Sequence, residues 1–150
     1  MQAEGAPELL LCDTSFVAHA GARRSRPERY THWNPEMLQR IESAILAISV
    51  ITLGEARFGY RNAKWGRTRI EAEERRLASF LQIPLDIPDL DEWARLKDLC
   101  KRDGIAISDN DLWIAATAAT RGHALLTCDR DQQRLAPHLP VEALYLPPKP

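Results

Sequence analysis

The sequence predicts an α/β domain built on a mainly parallel sheet. Three observations point there. Short aliphatic runs such as LLLC, AISVI and HALLT alternate with longer stretches of helical period, the order expected of strand–helix–strand units. The runs LLLC and HALLT are followed within two residues by a carboxylate, as strands of an open sheet are where they reach a ligand edge. A chain of 150 residues has the size of one domain and buries roughly 70% of its unfolded surface without a staple.

The elements follow in order. Glu8–Cys12 reads as a buried strand, with Asp13-Thr14-Ser15 after it. Phe16–Ala20 starts a short helix. Gly21–Pro35, GARRSRPERYTHWNP, is basic and turn-rich and reads as a loop or broken helix. Glu36–Leu46 carries Met37, Leu38, Ile41 and Ile45 at helical spacing. Ala47–Ile51 is the second strand. Thr52-x-x-Glu55 then has the form of a capping box opening a helix to about Lys64. A charged helix spans Arg67–Phe80. Leu85–Ile87, between Pro84 and Pro88, is a third strand. Asp89–Arg102 is a helix with Leu90, Trp93, Leu96, Leu99 and Cys100 on its apolar side, ended at Asp103-Gly104. Ser108–Arg121 is a helix that stops at Gly122. His123–Thr127 and Val141–Leu146 are the remaining strands. The core therefore runs from about Leu9 to Leu146, before a PPKP tail.

Composition excludes several classes. With 45% hydrophobic and 27% charged residues and a net charge of −1, the chain is an ordinary globular protein without a global nucleic-acid signature. Cys12, Cys100 and Cys128 form an odd set without CxxC spacing, which predicts reduced, buried thiols in a cytoplasmic protein. The start MQAEGAPE lacks a basic, apolar leader. No apolar run approaches the roughly 18 residues of a membrane span. His19, His32, His123 and His138 show no ligand spacing and are given no catalytic role.

The carboxylates carry the chemistry. Asp13 follows the first strand directly, and Asp129 follows HALLT with one residue between. If the strands are parallel, both emerge at one edge. Glu55 follows the second strand. Asp111 opens the helix leading to HALLT, so its place at that edge depends on a crossover. Each acid also has a structural reading: Glu55 and Asp111 in capping boxes, Asp13 as a cap, Asp129 as an Asx-turn. Together they conflict, because converging carboxylates raise one another's pKa, and a divalent cation removes the conflict. An all-oxygen set suits Mg2+ or Mn2+ rather than zinc. A water on such an ion can attack a phosphodiester.

At these residues the chain resembles the PIN-domain ribonucleases, and among them the VapC-type toxins of toxin–antitoxin pairs. LLLCDTSFV looks like their opening strand and first acid, and ISVITLGEARFGY like their second acidic motif. DNDLWIAATAATRGHALLTCDRDQQRL is the closest match. The resemblance implies a three-layer fold with a central sheet of four or five strands flanked by helices. It implies an Mg2+- or Mn2+-dependent endoribonuclease, an RNA substrate, an antitoxin that blocks the acidic pocket, and a homodimer. The family's acids fall on Asp13, Glu55, Asp111 and Asp129, its hydroxyls on Thr14 and Thr127, and a frequent extra acid on Asp131. Asp109 is outside the pattern. Gln132 stands where the family usually has an aromatic residue.

RNA needs cations around such a pocket. Arg23, Arg24, Arg26 and Arg29 follow Asp13; Arg57, Arg61, Lys64, Arg67 and Arg69 follow Glu55. Tyr30, Trp33 and Trp65 are interleaved as stacking candidates. Trp93 and Trp113 are assigned to the core. Two other readings compete. A phospho-accepting receiver needs a Lys after a later strand, and only Lys149 follows HALLTCDRD. A non-catalytic PIN-like binding module usually lacks one or more of the acids.

Overall fold

The computed structural model describes residues 5–148; MQAE, Lys149 and Pro150 lie outside the described residues. The strands are β1 (Leu9–Cys12), β2 (Ile45–Ser49), β3 (Leu81–Ile83), β4 (Ala124–Thr127) and β5 (Ala143–Tyr145). They form one five-stranded sheet in the order β3-β2-β1-β4-β5, parallel at every pair. The chain winds outward from β1 through β2 to β3, then returns to the other side for β4 and β5. The winding direction therefore reverses between β1 and β4, where an open sheet leaves a ligand crevice at its carboxyl edge.

Helices cover both faces: α1 (Thr14–Ser25), α2 (Pro35–Glu42), α3 (Val50–Asn62), α4 (Arg67–Ala78), α5 (Ile87–Asp103), α6 (Asp109–Arg121) and α7 (Arg130–Leu135). Alternation along the strands divides the core. Leu10, Cys12, Ile48, Leu126 and Leu144 pack with Phe16, Val17, Trp33 and Leu77. Leu11, Ala47 and Leu125 face the other way, onto Leu96, Leu112, Ile114, Ala115 and Ala118. Because both faces are buried, the central strands are continuous aliphatic runs. Trimming fully buried Leu11 or Leu125 to Ala removes about 2–5 kcal/mol of stability.

Several boundaries differ from the sequence reading. The run ISVI is split: Ser49 caps α3 by accepting from the Ile51 N–H. Val50 and Ile51 are therefore helical and Thr52 is not the cap. The third strand is Leu81–Ile83 rather than 85–87, because Asp86 and Asp89 form a capping box with Pro88 in the first turn of α5. α1 continues through Gly21 to Ser25 and stops before Pro27. A Cβ at Gly21 would sit 3.0 Å from the Arg76 guanidinium carbon, so this glycine admits the side chain that ties α4 to the Val17 carbonyl. α2 ends at Glu42, earlier than 46, and α7 is an element the sequence reading lacked.

α5 and α6 are an antiparallel pair. Buried Asp89 at the start of α5 binds Arg121 at the end of α6 at 2.7 Å. Gly122, at φ 67°, ends α6 in the left-handed region that glycine tolerates. The next residues enter β4, so α6 runs back along the sheet and its first turn reaches the carboxyl edge.

Candidate active site

Asp13 leaves the end of β1 at the winding reversal. Its backbone N–H donates to Leu126 of β4 at 2.9 Å. Its side chain is fully buried. Oδ1 accepts from the Ser15 hydroxyl at 2.6 Å and from the Phe16 N–H at 2.9 Å. Oδ2 accepts from the Thr127 hydroxyl. Asp13 is thus both the cap of α1 and the centre of the site; the two readings coexist. Burial pushes its carboxyl above the usual range, against the pull of Ser15, Thr127 and Phe16, with the Asp129 charge adding to the rise.

Thr127 also accepts from the Asp129 N–H at 2.9 Å, and Asp129 caps α7 through the Asp131 N–H at 2.9 Å. Thr14 turns to the other side of the site. Its hydroxyl lies 2.7 Å from Glu55 Oε1 and 3.0 Å from the Thr52 hydroxyl. Glu55 therefore sits in the second turn of α3, held from α1. A Thr14→Val variant keeps the shape and loses that bond. It should lower catalytic efficiency by about 10- to 100-fold with little change in melting temperature; an unchanged rate would remove Thr14 from the site.

Asp111 completes the set. Its N–H is capped by Ser108. Its carboxyl is pushed up to about 6, first by desolvation and then by the charges of Asp13, Asp129 and Glu55. That coupling places the carboxylates from both sides of the winding reversal in one electrostatic cluster. The sign for stability follows. The folded pKa lies above the ordinary 3.8, so the folded state holds this proton more tightly than the unfolded one. The contribution of Asp111 to the stability of metal-free protein is therefore lost as pH rises from 3.8 to about 6. Across that window Asp111→Asn should gain melting temperature relative to wild type as pH rises; equal slopes would contradict the coupling.

The donor set suits a hard cation. Asp13, Glu55, Asp111 and Asp129 offer carboxylate oxygens, with the hydroxyls of Thr14, Ser15 and Thr127 bonded to them, and a cation would relieve the repulsion that adds to desolvation at Asp111. Among the described residues, no group of three or more His, Cys, Asp or Glu side chains is closed into a ready metal cage.

The other sequence candidates divide. Asp131 turns its carboxylate toward Arg134 at 3.5 Å, and Asp109 pairs with Lys97. Arg24 and Arg69 line a cavity of about 810 Å³ whose near wall is Thr14, Thr52 and Glu55. Arg69 lies 3.6 Å over the Trp65 ring. Arg23 lines a smaller cleft with Phe16 and Trp33. Arg26, Arg29, Arg61 and Lys64 are exposed and line neither cavity. Arg57 and Arg67 are paired with Glu74 and Glu71. Tyr30 and Trp33 are buried, so of the three aromatic candidates only Trp65 lines the cavity beside Glu55. Trp93 and Trp113 are half-buried and stack on each other at 4.6 Å. The three cysteines are free and buried; burial raises the Cys12 and Cys128 thiols, the latter to about 12, which leaves no thiolate for catalysis.

Sequence reasoning missed Ser15, Thr52 and the role of Gln132. Ser15 links Asp13 to the Cys128 N–H at 3.0 Å. Buried Gln132 donates to the Asp111 carbonyl at 2.9 Å and so fixes the first turn of α6. Its position in place of an aromatic residue was the available signal.

The model of the PIN domain family matches residues 10–137. The chain belongs to the PIN-domain family. Within it, a relative from Mycobacterium tuberculosis named Ribonuclease VapC4 is 33% identical over 127 residues, covering 81% of this chain and 86% of its own. Ribonuclease VapC5 of the same organism is 35% identical over 88 residues, covering 57% and 65%. Among solved structures, the VapBC-5 toxin–antitoxin member from Mycobacterium tuberculosis shares 29% identity at a TM-score of 0.64, covering 93% of this chain and 99% of that one. DNA-bound VapBC from Salmonella typhimurium, at 19% identity and a TM-score of 0.71 over 93% and 97%, supports the fold. In this PIN domain Asp13 follows β1, Glu55 lies in α3, Asp111 in the first turn of α6 and Asp129 just after β4. Among its described residues no helix is long and apolar enough to cross a membrane.

Proposed function

We propose that this PIN-domain protein is a ribonuclease toxin of the VapC type, an Mg2+- or Mn2+-dependent endoribonuclease. The observation that carries the reading is the meeting of Asp13 and Asp129 after the neighbouring strands β1 and β4, linked through Thr127, with Glu55 held beside them by Thr14 at the winding reversal of the sheet. Asp13, Asp111 and Asp129 would hold the ion, with Glu55 beside them. When bound, the ion supplies a water acidic enough to attack phosphorus and neutralises the phosphate oxygens. Ser15, Thr127 and the Phe16 N–H hold Asp13 in one orientation. Thr14 and Thr52 hold Glu55. Arg24 and Arg69, on the cavity beside Glu55, offset the acidic field toward incoming phosphates.

The solved VapBC-5 structure, from a toxin–antitoxin system, supports a cognate antitoxin as the protein partner. A homodimer is part of the same reading. Val50 and Phe58, two turns apart on α3, are exposed at 38% and 68% and give apolar surface for a second copy.

Internal cleavage is the direct test. The purified protein with Mg2+ should linearise a circular single-stranded RNA. An intact circle beside a degraded linear RNA would mean an exonuclease, and two intact substrates would remove the ribonuclease reading.

A further inference from the structure

Two cavities flank the acid cluster, and they part between Thr14 and Ser15. The first, of about 810 Å³, has Thr14 and Glu55 on its wall. The second, of about 680 Å³, has Ser15, Cys128 and Asp129 on its wall and is bounded by His32, Arg130, Pro147 and Pro148. Asp13 bonds toward the second side through Ser15 and Thr127, while Glu55 and Thr14 face the first. A single strand laid across the acids therefore has room to leave on both sides.

We propose that the second cavity is a nucleotide subsite, which takes the unpaired nucleotide next to the scissile phosphate on the Asp129 side. The proposal rests on the ribonuclease reading above and adds residues outside the acid motifs. Its surface has the required chemistry. Arg130 is exposed at the first position of α7, next to Asp129, and offers a guanidinium to a phosphate at the margin of an acidic site. The flat imidazole of His32 and the apolar rings of Pro147 and Pro148 offer the contact on which a base rests.

The walls are also held before anything binds. His32 Nε2 donates to the Pro147 carbonyl at 2.9 Å, and Trp33 Nε1 donates to the same oxygen at 2.9 Å. The His32 ring stacks on Tyr30 at 6.4 Å and 22°. Tyr30 is itself buried and bonded to His19 at 2.9 Å. The basic, turn-rich segment after α1 thus has a specific task here. It sends Tyr30 and Trp33 into the core and uses them to hold His32 and the C-terminal segment beside Asp129. A surface ordered in advance loses little entropy on binding.

The test uses the full chain and a dye-labelled single-stranded RNA that wild type cuts at one bond. It is compared with two shortened RNAs, each trimmed up to the bond's neighbouring nucleotide on one side. The proteins are wild type, His32→Ala, Arg130→Ala and the double variant. None of these changes replaces a carboxylate or a core side chain. The double variant should raise KM for the full RNA by at least about fivefold, with kcat unchanged. One trimmed RNA, and only one, should erase the difference between the double variant and wild type. Arg130→Ala alone should reduce the log–log salt slope by about 0.7, and this exposed position carries the test if His32→Ala lowers the melting temperature. The subsite is overturned if KM and slope are unchanged, or if the same factor is lost on all three RNAs. It is also overturned if RNA cleavage is unaltered and the co-expressed antitoxin binds more weakly, which would give the cavity to a protein. Failure of wild type to cut any RNA would bring down the ribonuclease reading itself; cleavage with unaltered length dependence brings down the subsite alone.

Discussion

Asp13→Asn and Asp111→Asn should each lower kcat for RNA cleavage by more than about a hundredfold, since loss of an ion-binding carboxylate removes several kcal/mol of transition-state stabilisation. Neither variant should unfold. At Asp111 the substitution removes one charge from a repulsive cluster, so the melting temperature in metal-free buffer near neutrality should hold or rise. At Asp13 the amide oxygen of Asn can still accept from Ser15 and from the Phe16 N–H. The amide NH2 then faces Thr127, whose hydroxyl can accept instead of donate. Asp13→Ala is the contrasting variant: it removes the cap of α1 and costs about 0.5–2 kcal/mol. A clear loss of stability in both Asn variants, with activity per folded molecule retained, would reduce these acids to caps.

Chelation should have an effect of similar size. EDTA should abolish cleavage, and Mg2+ or Mn2+ in excess should restore it, because no other group in the site supplies a nucleophile. His32, which lines a cavity with Asp129, is engaged with the Pro147 carbonyl. The cysteine thiols stay protonated. Divalent ion should also raise the melting temperature of wild type near neutrality and do so less in Asp111→Asn, since binding to the folded state alone stabilises it. Full activity in EDTA would end the metal mechanism while leaving the fold intact.

Much of this was legible in the sequence, for identifiable reasons. β1, β4 and α6 are strongly patterned and bounded by unambiguous punctuation: Asp13 after LLLC, Ser108 before α6 and Gly122 after it. Their acids were therefore placed correctly on their elements. The parallel order made Asp13 and Asp129 neighbours in advance. Asp111 could not be placed, because its position depends on the antiparallel pairing of α5 with α6, and the Asp89–Arg121 bridge behind that pairing spans 32 residues.

ISVI misled because β-branched residues read as strand, while Ser49 caps a helix at the point where the sheet edge ends. Once the cap moves to Ser49, Thr52 and Glu55 are released from the capping box and meet Thr14. Local pattern also could not tell buried from exposed aromatics. Tyr30 and Trp33 sit in a basic, turn-rich segment, yet they close over α1 as part of the core. The arginines divide for the same reason: Arg24 and Arg69 reach the cavity beside Glu55, whereas Arg57 and Arg67 are taken by glutamates of α4.

The central claim is that Asp13, Asp111 and Asp129 share one divalent ion. Crystals of the wild-type protein soaked in Mn2+ and measured for anomalous scattering test it most directly. The account predicts an anomalous peak at the carboxyl edge of the sheet, within ligand distance of Asp111 and at least one of Asp13 and Asp129, and no peak there in Asp111→Asn. Well-occupied Mn2+ bound elsewhere, with these carboxylates unliganded in a protein that cuts RNA, would contradict it.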